Sequence, residues 1–228
     1  MMINMNLQQL IGWDKKLLLA LNGSDSSYFD NFMMTHTGMW VWIPFFIILV
    51  YVIIRSNRWK EALLVIAMVG IVVLLADRIS SGFFKPFFQR FRPTHDPSIM
   101  ELVNVVDNYR GGKYGFVSSH AANSIGIATF LSLVFRRKWI SFALFLWAVM
   151  HSYTRIYLGV HFPGDILCGS IVGAVVGWSV YMFLGLISRR YMCNSCNYTV
   201  KKYKSADEAW VISVLGVTYF FLFIWAFF

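Results

Sequence analysis

Long apolar stretches separated by short polar connections form the dominant pattern of this chain. The hydrocarbon core of a bilayer, about 30 Å thick, needs about 20 mostly apolar residues for each spanning helix. The sequence predicts six such helices, at Met39–Ile54, Ala62–Phe84, Ala121–Phe135, Trp139–Tyr157, Ile166–Ile187 and Trp210–Phe228. We therefore expect an all-α fold, a polytopic membrane helical bundle in a single domain over residues 1–228.

The N-terminal segment has a shorter and more mixed pattern. Its apolar residues recur at near-helical spacing between Leu7 and Leu21, while Gln8, Asp14 and Lys15 interrupt any apolar core. This pattern is typical of an amphipathic helix lying in the membrane interface. It lacks the cationic start and the apolar core of a signal peptide, so we expect no cleavage.

Lysine and arginine residues near the helix ends predict the orientation of the bundle. Cytoplasmic loops carry an excess of both, and three alternate connections have such clusters, around Arg55, Arg136 and Arg189. We expect these loops in the cytoplasm, and the connections 85–119 and 159–164 on the periplasmic or extracellular side of a cytoplasmic membrane. The connection 85–119 nevertheless holds Lys85, Arg90, Arg92, Arg110 and Lys113. Basic residues on the disfavoured side indicate anion binding.

Composition narrows the class of protein. Hydrophobic residues make up 58% of the chain and charged residues 14%, which excludes an ordinary water-soluble domain. The net charge of +9 lies in short clusters between apolar stretches, so it favours membrane topology and phosphate binding over nucleic-acid binding. Three cysteines are too few for a disulfide framework. We interpret Cys193 and Cys196 as reduced cysteines of a cytoplasmic loop, because a zinc site would need two further ligands.

Polar residues on the predicted outer side carry the candidate chemistry. They fall in three segments, 85–93, 117–120 and 154–165. Lys85, Arg92 and Arg155 are suited to neutralise a phosphate, since each guanidinium group binds two oxygens at once. Ser118 stands where the third span begins, so we expect its hydroxyl group and the first free N–H groups of that helix to face the same anion. Together these groups predict a preorganised anion site.

At these residues the sequence resembles the type 2 phosphatidic acid phosphatase family, whose site is shared with vanadium haloperoxidases. The family's first motif is Lys, six residues, Arg-Pro, matched by Lys85, Arg92 and Pro93. Its second motif, Pro-Ser-Gly-His, reads Val117-Ser118-Ser119-His120 here. Its third motif, Ser-Arg, five residues, His, three residues, Asp, is matched at Arg155, His161 and Asp165, with Thr154 in place of Ser. The motif-bearing core covers about residues 75–177.

The resemblance implies a division of work between two histidines. His161 attacks phosphorus to give a phosphohistidine, Asp165 holds its imidazole in the correct tautomer, and His120 protonates the departing lipid oxygen. The residues implied to bind phosphate are Lys85, Arg92, Ser118, Ser119 and Arg155. A carboxylate four residues after a histidine suits this scheme, because it orients one ring nitrogen and leaves the other free to attack. The scheme uses no metal and no other cofactor.

The sequence leaves the substrate open. The resemblance allows undecaprenyl diphosphate, phosphatidylglycerol phosphate, phosphatidic acid or a lipid A phosphate, and we expect the segment 94–114 to shape the choice of head group. One alternative is a lipid phosphotransferase, in which an acceptor other than water takes the phosphoryl group. Another is a transporter or binding protein that retains only an anion pocket, although its path would need charged residues through the bilayer. The sequence does not determine the oligomeric state.

The remaining polar and small residues have structural interpretations. We interpret three histidines as satisfied structural groups, namely His36, His95 and His151. Three glycines on one face of the fifth span predict close helix contact within the monomer, namely Gly169, Gly173 and Gly177. Three basic residues suit either anchoring at the membrane surface or anion binding, namely Arg90, Arg110 and Lys113. Asp77 either supports Lys85 through Ser81 or pairs with Arg78.

Overall fold

A computed structural model describes residues 6–191 and 203–228, and its regular elements in these ranges are helical. The helices are α1 Leu7–Leu21, α2 Ser27–Thr37, α3 Ile43–Ser56, α4 Trp59–Asp77, α5 Lys85–Phe88, α6 Ser119–Phe135, α7 Lys138–Tyr157, α8 Pro163–Tyr191 and α9 Ser205–Trp225. An isolated β-bridge joins Phe91 to Tyr114. The all-α prediction is therefore confirmed. Cys193 and Cys196, which we interpret from the sequence as reduced cysteines, lie outside the described residues.

Each of the six predicted spans overlaps one helix, in chain order α3, α4, α6, α7, α8 and α9, with ends that differ by up to several residues. By length and hydropathy, the described part of the chain has three helical stretches able to cross a membrane, at Trp59–Phe88, Pro163–Ser188 and Ser205–Trp225. Helix α2 and the stretch Trp40–Ser56 form a fourth if this pair, bent by 68°, counts as one span. Helix α6 is apolar but has only 17 residues. The membrane helical bundle is confirmed, and the count of six spans stays a prediction.

Helix α6 lies in the centre of the bundle, between α4, α7 and α8. Gly169, Gly173 and Gly177 of α8 lie against the backbone of α6, where a Cβ on any of them would collide with a carbonyl oxygen. The predicted close contact within the monomer is thus confirmed. It brings the first turn of α8 beside the first turn of α6, and the Ser118 N–H donates to the carbonyl oxygen of Asp165 at 3.1 Å.

Helix α1 is the amphipathic helix that the sequence predicts. Its residues Leu7, Trp13 and Leu17 are exposed, whereas Leu18 is fully buried against the bundle. Asn22, which follows the helix, fixes its end to the long connection 89–118 between α5 and α6, called the outer connection after its predicted side. The Asn22 amide group accepts from the Asn104 N–H at 2.8 Å and donates to the Asn104 oxygen at 3.0 Å. Helix α1 therefore lies at the end of the bundle that carries the three polar segments.

Candidate active site

Lys85 reaches from the end of α4 to the start of α6. Its Nζ donates to Ser119 Oγ at 2.6 Å and to Ser81 Oγ at 3.2 Å. The predicted span ends at Phe84, but the helix continues to Phe88, because Arg78–Phe84 is π-helical and so accommodates Pro86, which has no N–H to donate. Ser81 donates in turn to Asp77 Oδ1 at 3.1 Å. Asp77 thus supports Lys85 through Ser81.

Two arginines complete the group of cations. Arg92 Nε donates to the Tyr114 carbonyl at 3.2 Å, and its Nη1 donates to the Val160 carbonyl at 3.3 Å. Arg155, only 1% exposed, donates from Nη1 to Thr37 Oγ1 at 2.7 Å and from Nη2 to the Tyr109 hydroxyl at 2.8 Å. Helix α2 and the outer connection therefore orient this guanidinium group.

These cations have no direct carboxylate partner within the part of the chain that the structure describes. Among the residues that the structure describes, Lys85, Arg92 and Arg155 form no ion pair within 4.0 Å. Burial and the charge of Arg155 lower the pKa of Arg92, the direction expected for like charges held close together. An oxyanion bound between them would relieve this repulsion.

His161 lies in the turn between α7 and α8 and is only 1% exposed. Its Nδ1 is 3.4 Å from Asp165 Oδ2, and the Phe162 N–H donates to the same oxygen at 3.1 Å. Burial, and then the charges of the three cations, lower the pKa of His161 well below 6.5. The imidazole is therefore neutral at pH 7, and with its proton on Nδ1 toward Asp165 it keeps a lone pair on Nε2.

Gly115 lies directly against this histidine and its carboxylate. A Cβ at this position would be 3.1 Å from Asp165 Oδ2 and 3.5 Å from His161 Nδ1. Its N–H donates to the Arg90 carbonyl at 2.9 Å, which holds the outer connection over the pair. Sequence reasoning missed Gly115, because only the fold shows what a side chain there would meet.

We expect Gly115→Ala to lower kcat by about tenfold or more, because the added methyl group pushes Asp165 away from His161 and presses on Arg92 Cγ, which is also 3.1 Å from the Cβ position. Gly112→Ala is a matched control in the same connection, since a Cβ there has no atom within 4 Å. The measurement is kcat for phosphate release by the two purified variants, with melting temperatures in detergent as a check on folding. Similar losses in both variants would contradict the close-contact explanation.

The two serines at the start of α6 have different surroundings. Ser118 is fully buried and caps the helix, with its Oγ accepting from the Ala121 N–H at 3.5 Å. Ser119 places its Oγ beside Lys85 and lines a cavity. The structure therefore brings the Ser119 hydroxyl to the cations, while Ser118 fixes the end of the helix.

The cavity has a volume of about 490 Å³ and lies between α3, α4, α6 and α7. Lys85, Arg92, Ser119 and His120 line one part of it. Apolar side chains line the rest, namely Met39, Trp42, Phe46, Val73 and Ile127. His151 also lines the cavity, and its ring stacks on that of His120 at 5.6 Å between centroids. From the sequence we interpret His151 as a structural group, but the structure places it in the cavity beside His120.

Of the other two histidines, His95 fits its structural interpretation, whereas His36 is only half satisfied because its Nδ1 is buried without a partner among the described residues. His36 is fully buried with its Nε2 3.2 Å from the Tyr219 hydroxyl, and His95 Nδ1 is 3.1 Å from Thr94 Oγ1. Arg110 and Lys113 stay in the outer connection, where Arg110 donates to the Thr94 carbonyl at 3.4 Å and Lys113 lies 5.5 Å from the Tyr114 ring centroid.

Arg90 has a different position, which the sequence does not predict. Its Nη1 donates to Asp165 Oδ1 at 2.8 Å, and its Nη2 donates to Asp14 Oδ2 at 2.7 Å. Arg90 thus joins the predicted active site to α1. A charged residue among the leucines of an amphipathic helix was the only available signal for Asp14.

Known proteins resemble this chain along most of its length. The family model described as PAP2 superfamily matches residues 61–189. A lipid A 4'-phosphatase of Bacteroides thetaiotaomicron is 39% identical over 178 residues, which are 78% of this chain and 79% of the relative. A lipid A 4'-phosphatase of Porphyromonas gingivalis is 35% identical over 215 residues, which are 93% of this chain and 91% of the relative. The crystal structure of Aquifex aeolicus LpxE matches with a TM-score of 0.55 and 25% identity, covering 80% of this chain and 99% of that one.

Proposed function

Because the chain belongs to the PAP2 superfamily, we propose that it is a membrane phosphatase that removes a phosphate monoester from a lipid of the lipid A type. The observation that carries the proposal is the arrangement of three cations around the neutral His161, beside a cavity lined by His120; none of the three forms an ion pair with a carboxylate of residues 6–191 or 203–228. In the proposal His161 is the nucleophile and His120 the acid. Burial and the charge of Arg155 lower the pKa of His120 in the unliganded site, so the negative charge of the bound phosphate has to hold a proton on it. The two lipid A 4'-phosphatases that resemble most of the chain support this choice of substrate.

The proposed reaction has two steps. In the first, His161 Nε2 attacks phosphorus, the bond from phosphorus to the lipid oxygen breaks, and His120 gives that oxygen a proton. In the second, His120 takes a proton from water, which attacks the phosphohistidine and releases inorganic phosphate. Asp165 holds Nδ1–H throughout, and the cations stabilise the charge on the phosphoryl oxygens. The residues proposed to do so are Lys85, Arg92, Ser119 and Arg155, with Ser118 supporting them from the cap of α6.

The cavity favours a leaving group that offers hydrogen bonds. It is lined by Asn123, Trp147 and His151, and Asn123 Oδ1, Trp147 Nε1 and His151 Nδ1 are buried without a hydrogen-bond partner among residues 6–191 and 203–228. A buried polar group left unpaired costs about 1–3 kcal/mol, so a ligand that pairs these atoms gains affinity. The hydroxyl and amide groups of a phosphorylated amino sugar offer both donors and acceptors, whereas the departing phosphate of a polyprenyl diphosphate offers acceptors only and cannot pair Asn123 Oδ1. This supports a sugar-linked phosphate over a polyprenyl diphosphate.

The test is phosphate release from a panel of lipids by the purified protein in detergent. The panel contains lipid A, undecaprenyl diphosphate, phosphatidylglycerol phosphate and phosphatidic acid, each with and without EDTA. We expect the highest kcat/KM for lipid A and no effect of EDTA, because protein cations take the place of a metal. Preference for the polyprenyl diphosphate would contradict the proposed substrate, and transfer of phosphate to a second lipid would identify a phosphotransferase. Activity that disappears in EDTA and returns with a divalent ion would contradict the metal-free scheme.

We further propose that the site faces the periplasm or the cell exterior. Support comes from the basic clusters at Arg55 and Arg136, which lie at the C-terminal ends of α3 and α6, away from the site, where cytoplasmic loops are expected. In a variant without native cysteines, Ser98→Cys should react with a membrane-impermeant maleimide in intact cells. Ser56→Cys should react only after lysis. The reverse pattern of labelling would place the site in the cytoplasm.

A further inference from the structure

Helix α1 supplies a carboxylate to the active-site end of the bundle, although it lies outside the matched family region. Asp14 Oδ2 accepts from Arg90 Nη2 at 2.7 Å, and Asp14 Oδ1 accepts from the N–H of Gly164 at 2.8 Å. The two side chains of the ion pair are only 14% and 25% exposed. Asp14 therefore contacts both the outer connection and the first turn of α8.

Arg90 extends this contact to the carboxylate beside the proposed nucleophile. Its Nη1 donates to Asp165 Oδ1 at 2.8 Å, and Asp165 is fully buried. Since Arg90 occupies Oδ1, Oδ2 faces His161 Nδ1 and the Phe162 N–H. The guanidinium carbon of Arg90 lies 4.0 Å from the centroid of the Phe162 ring, which restrains its position. One guanidinium group thus bridges two carboxylates in a single orientation.

We propose that Asp14 is a positioning residue for the reaction, acting on His161 through Arg90 and Asp165. An arginine facing a single carboxylate prefers the bidentate arrangement, in which both oxygens accept from the fork. By holding Nη2, Asp14 prevents Arg90 from taking both oxygens of Asp165, and Oδ2 stays available to His161. The proposal rests on the proposed role of His161 as the nucleophile. The proposal gives the N-terminal helix a part in orienting the His161 imidazole, in addition to its predicted place in the membrane interface.

The chain offers a matched control for this role. Lys15, the next residue of α1, pairs with Asp96 of the outer connection at 2.8 Å, with side-chain exposures of 25% and 17%. This pair resembles the one between Arg90 and Asp14 in length, exposure and the elements that it joins. Asp96, however, has no contact with Asp165 within the described ranges. If the ion pairs only anchor α1 to the outer connection, breaking either pair should have the same effect. If Asp14 positions Asp165 and His161, only the loss of Asp14 should lower activity.

The experiment compares kcat and KM of Asp14→Asn and Lys15→Met with those of the wild type, on whichever panel lipid is turned over fastest. Asp14→Asn keeps an acceptor for the Gly164 N–H but loses the charge that holds Arg90. We expect kcat to fall by about tenfold with KM within about twofold, because the phosphate-binding cations are untouched. For Lys15→Met we expect both constants within about twofold of the wild type. Labelling of His161 by rapid quench should slow in parallel with kcat.

A double variant tests whether Asp14 acts through Arg90. Asp14→Asn combined with Arg90→Met should be no slower than Arg90→Met alone, because the two residues belong to one path. Three results would overturn the proposal. They are a double variant whose loss of kcat is the product of the two single losses, equal losses of kcat in Asp14→Asn and Lys15→Met, and a change in Asp14→Asn that is confined to KM. If Asp14→Asn does not fold, Arg90→Met alone replaces it, since it removes the contacts to both carboxylates, and an unchanged kcat would overturn the proposal. Activity in His161→Ala, measured alongside, would instead reject the proposed mechanism whatever the result at Asp14.

Discussion

Replacement of His161 by alanine is expected to lower kcat for phosphate release by at least about 10³-fold, because it removes the proposed nucleophile and no neighbouring group takes its place. The cations that bind phosphate stay in position, so KM should change far less than kcat. The measurement is the initial rate of phosphate release, with rapid quench on labelled substrate as a second readout. Wild type should carry the label on His161, and the variant should carry none.

His95→Ala is the matched control for this substitution. His95 lies in the outer connection with its Nδ1 3.1 Å from Thr94 Oγ1, and its replacement removes an imidazole of the same size away from the cations. It should retain kcat within about twofold, as expected for a change remote from the chemistry. Phosphate release by His161→Ala at a rate near that of wild type would reject the phosphohistidine mechanism.

The sequence predicted those parts of the molecule that depend on local pattern. The length of the apolar stretches located six of the helices. The spacing of the glycines predicted a close contact of α8, because a helix face without side chains lets another backbone approach it. The cations were predictable for another reason. Lys85, Arg92 and Arg155 fall on the side that the loop charges predict to be non-cytoplasmic, where basic residues are disfavoured, and their spacing matches a family motif.

The pairing of Asp14 with Arg90 was not predictable in this way. The partners are 76 residues apart, and no periodic pattern connects an interfacial helix with an outer loop. For Arg90 the sequence left anchoring and anion binding equally open, and the structure shows a third arrangement in which its partners are two carboxylates of the protein. The same holds for Tyr109 and Thr37, whose hydroxyl groups become ligands of Arg155 only when the outer connection and α2 fold against α7.

The replacement Arg155→Lys is expected to lower kcat/KM by about 10²-fold, although it keeps the positive charge. Arg155 is 1% exposed, and its two Nη atoms donate to Thr37 and Tyr109 while the remaining N–H groups stay available to the phosphoryl oxygens. A lysine has one nitrogen, so it cannot keep both partners and also bind two oxygens of the transition state. Inhibition by vanadate should weaken in parallel, since its five-coordinate adduct resembles that state. Tyr109→Phe keeps the guanidinium group and loses one hydrogen bond that orients it, so it should lower kcat/KM by less than about tenfold. If Arg155→Lys retains kcat/KM within about threefold, charge alone suffices and the oriented fork is not required.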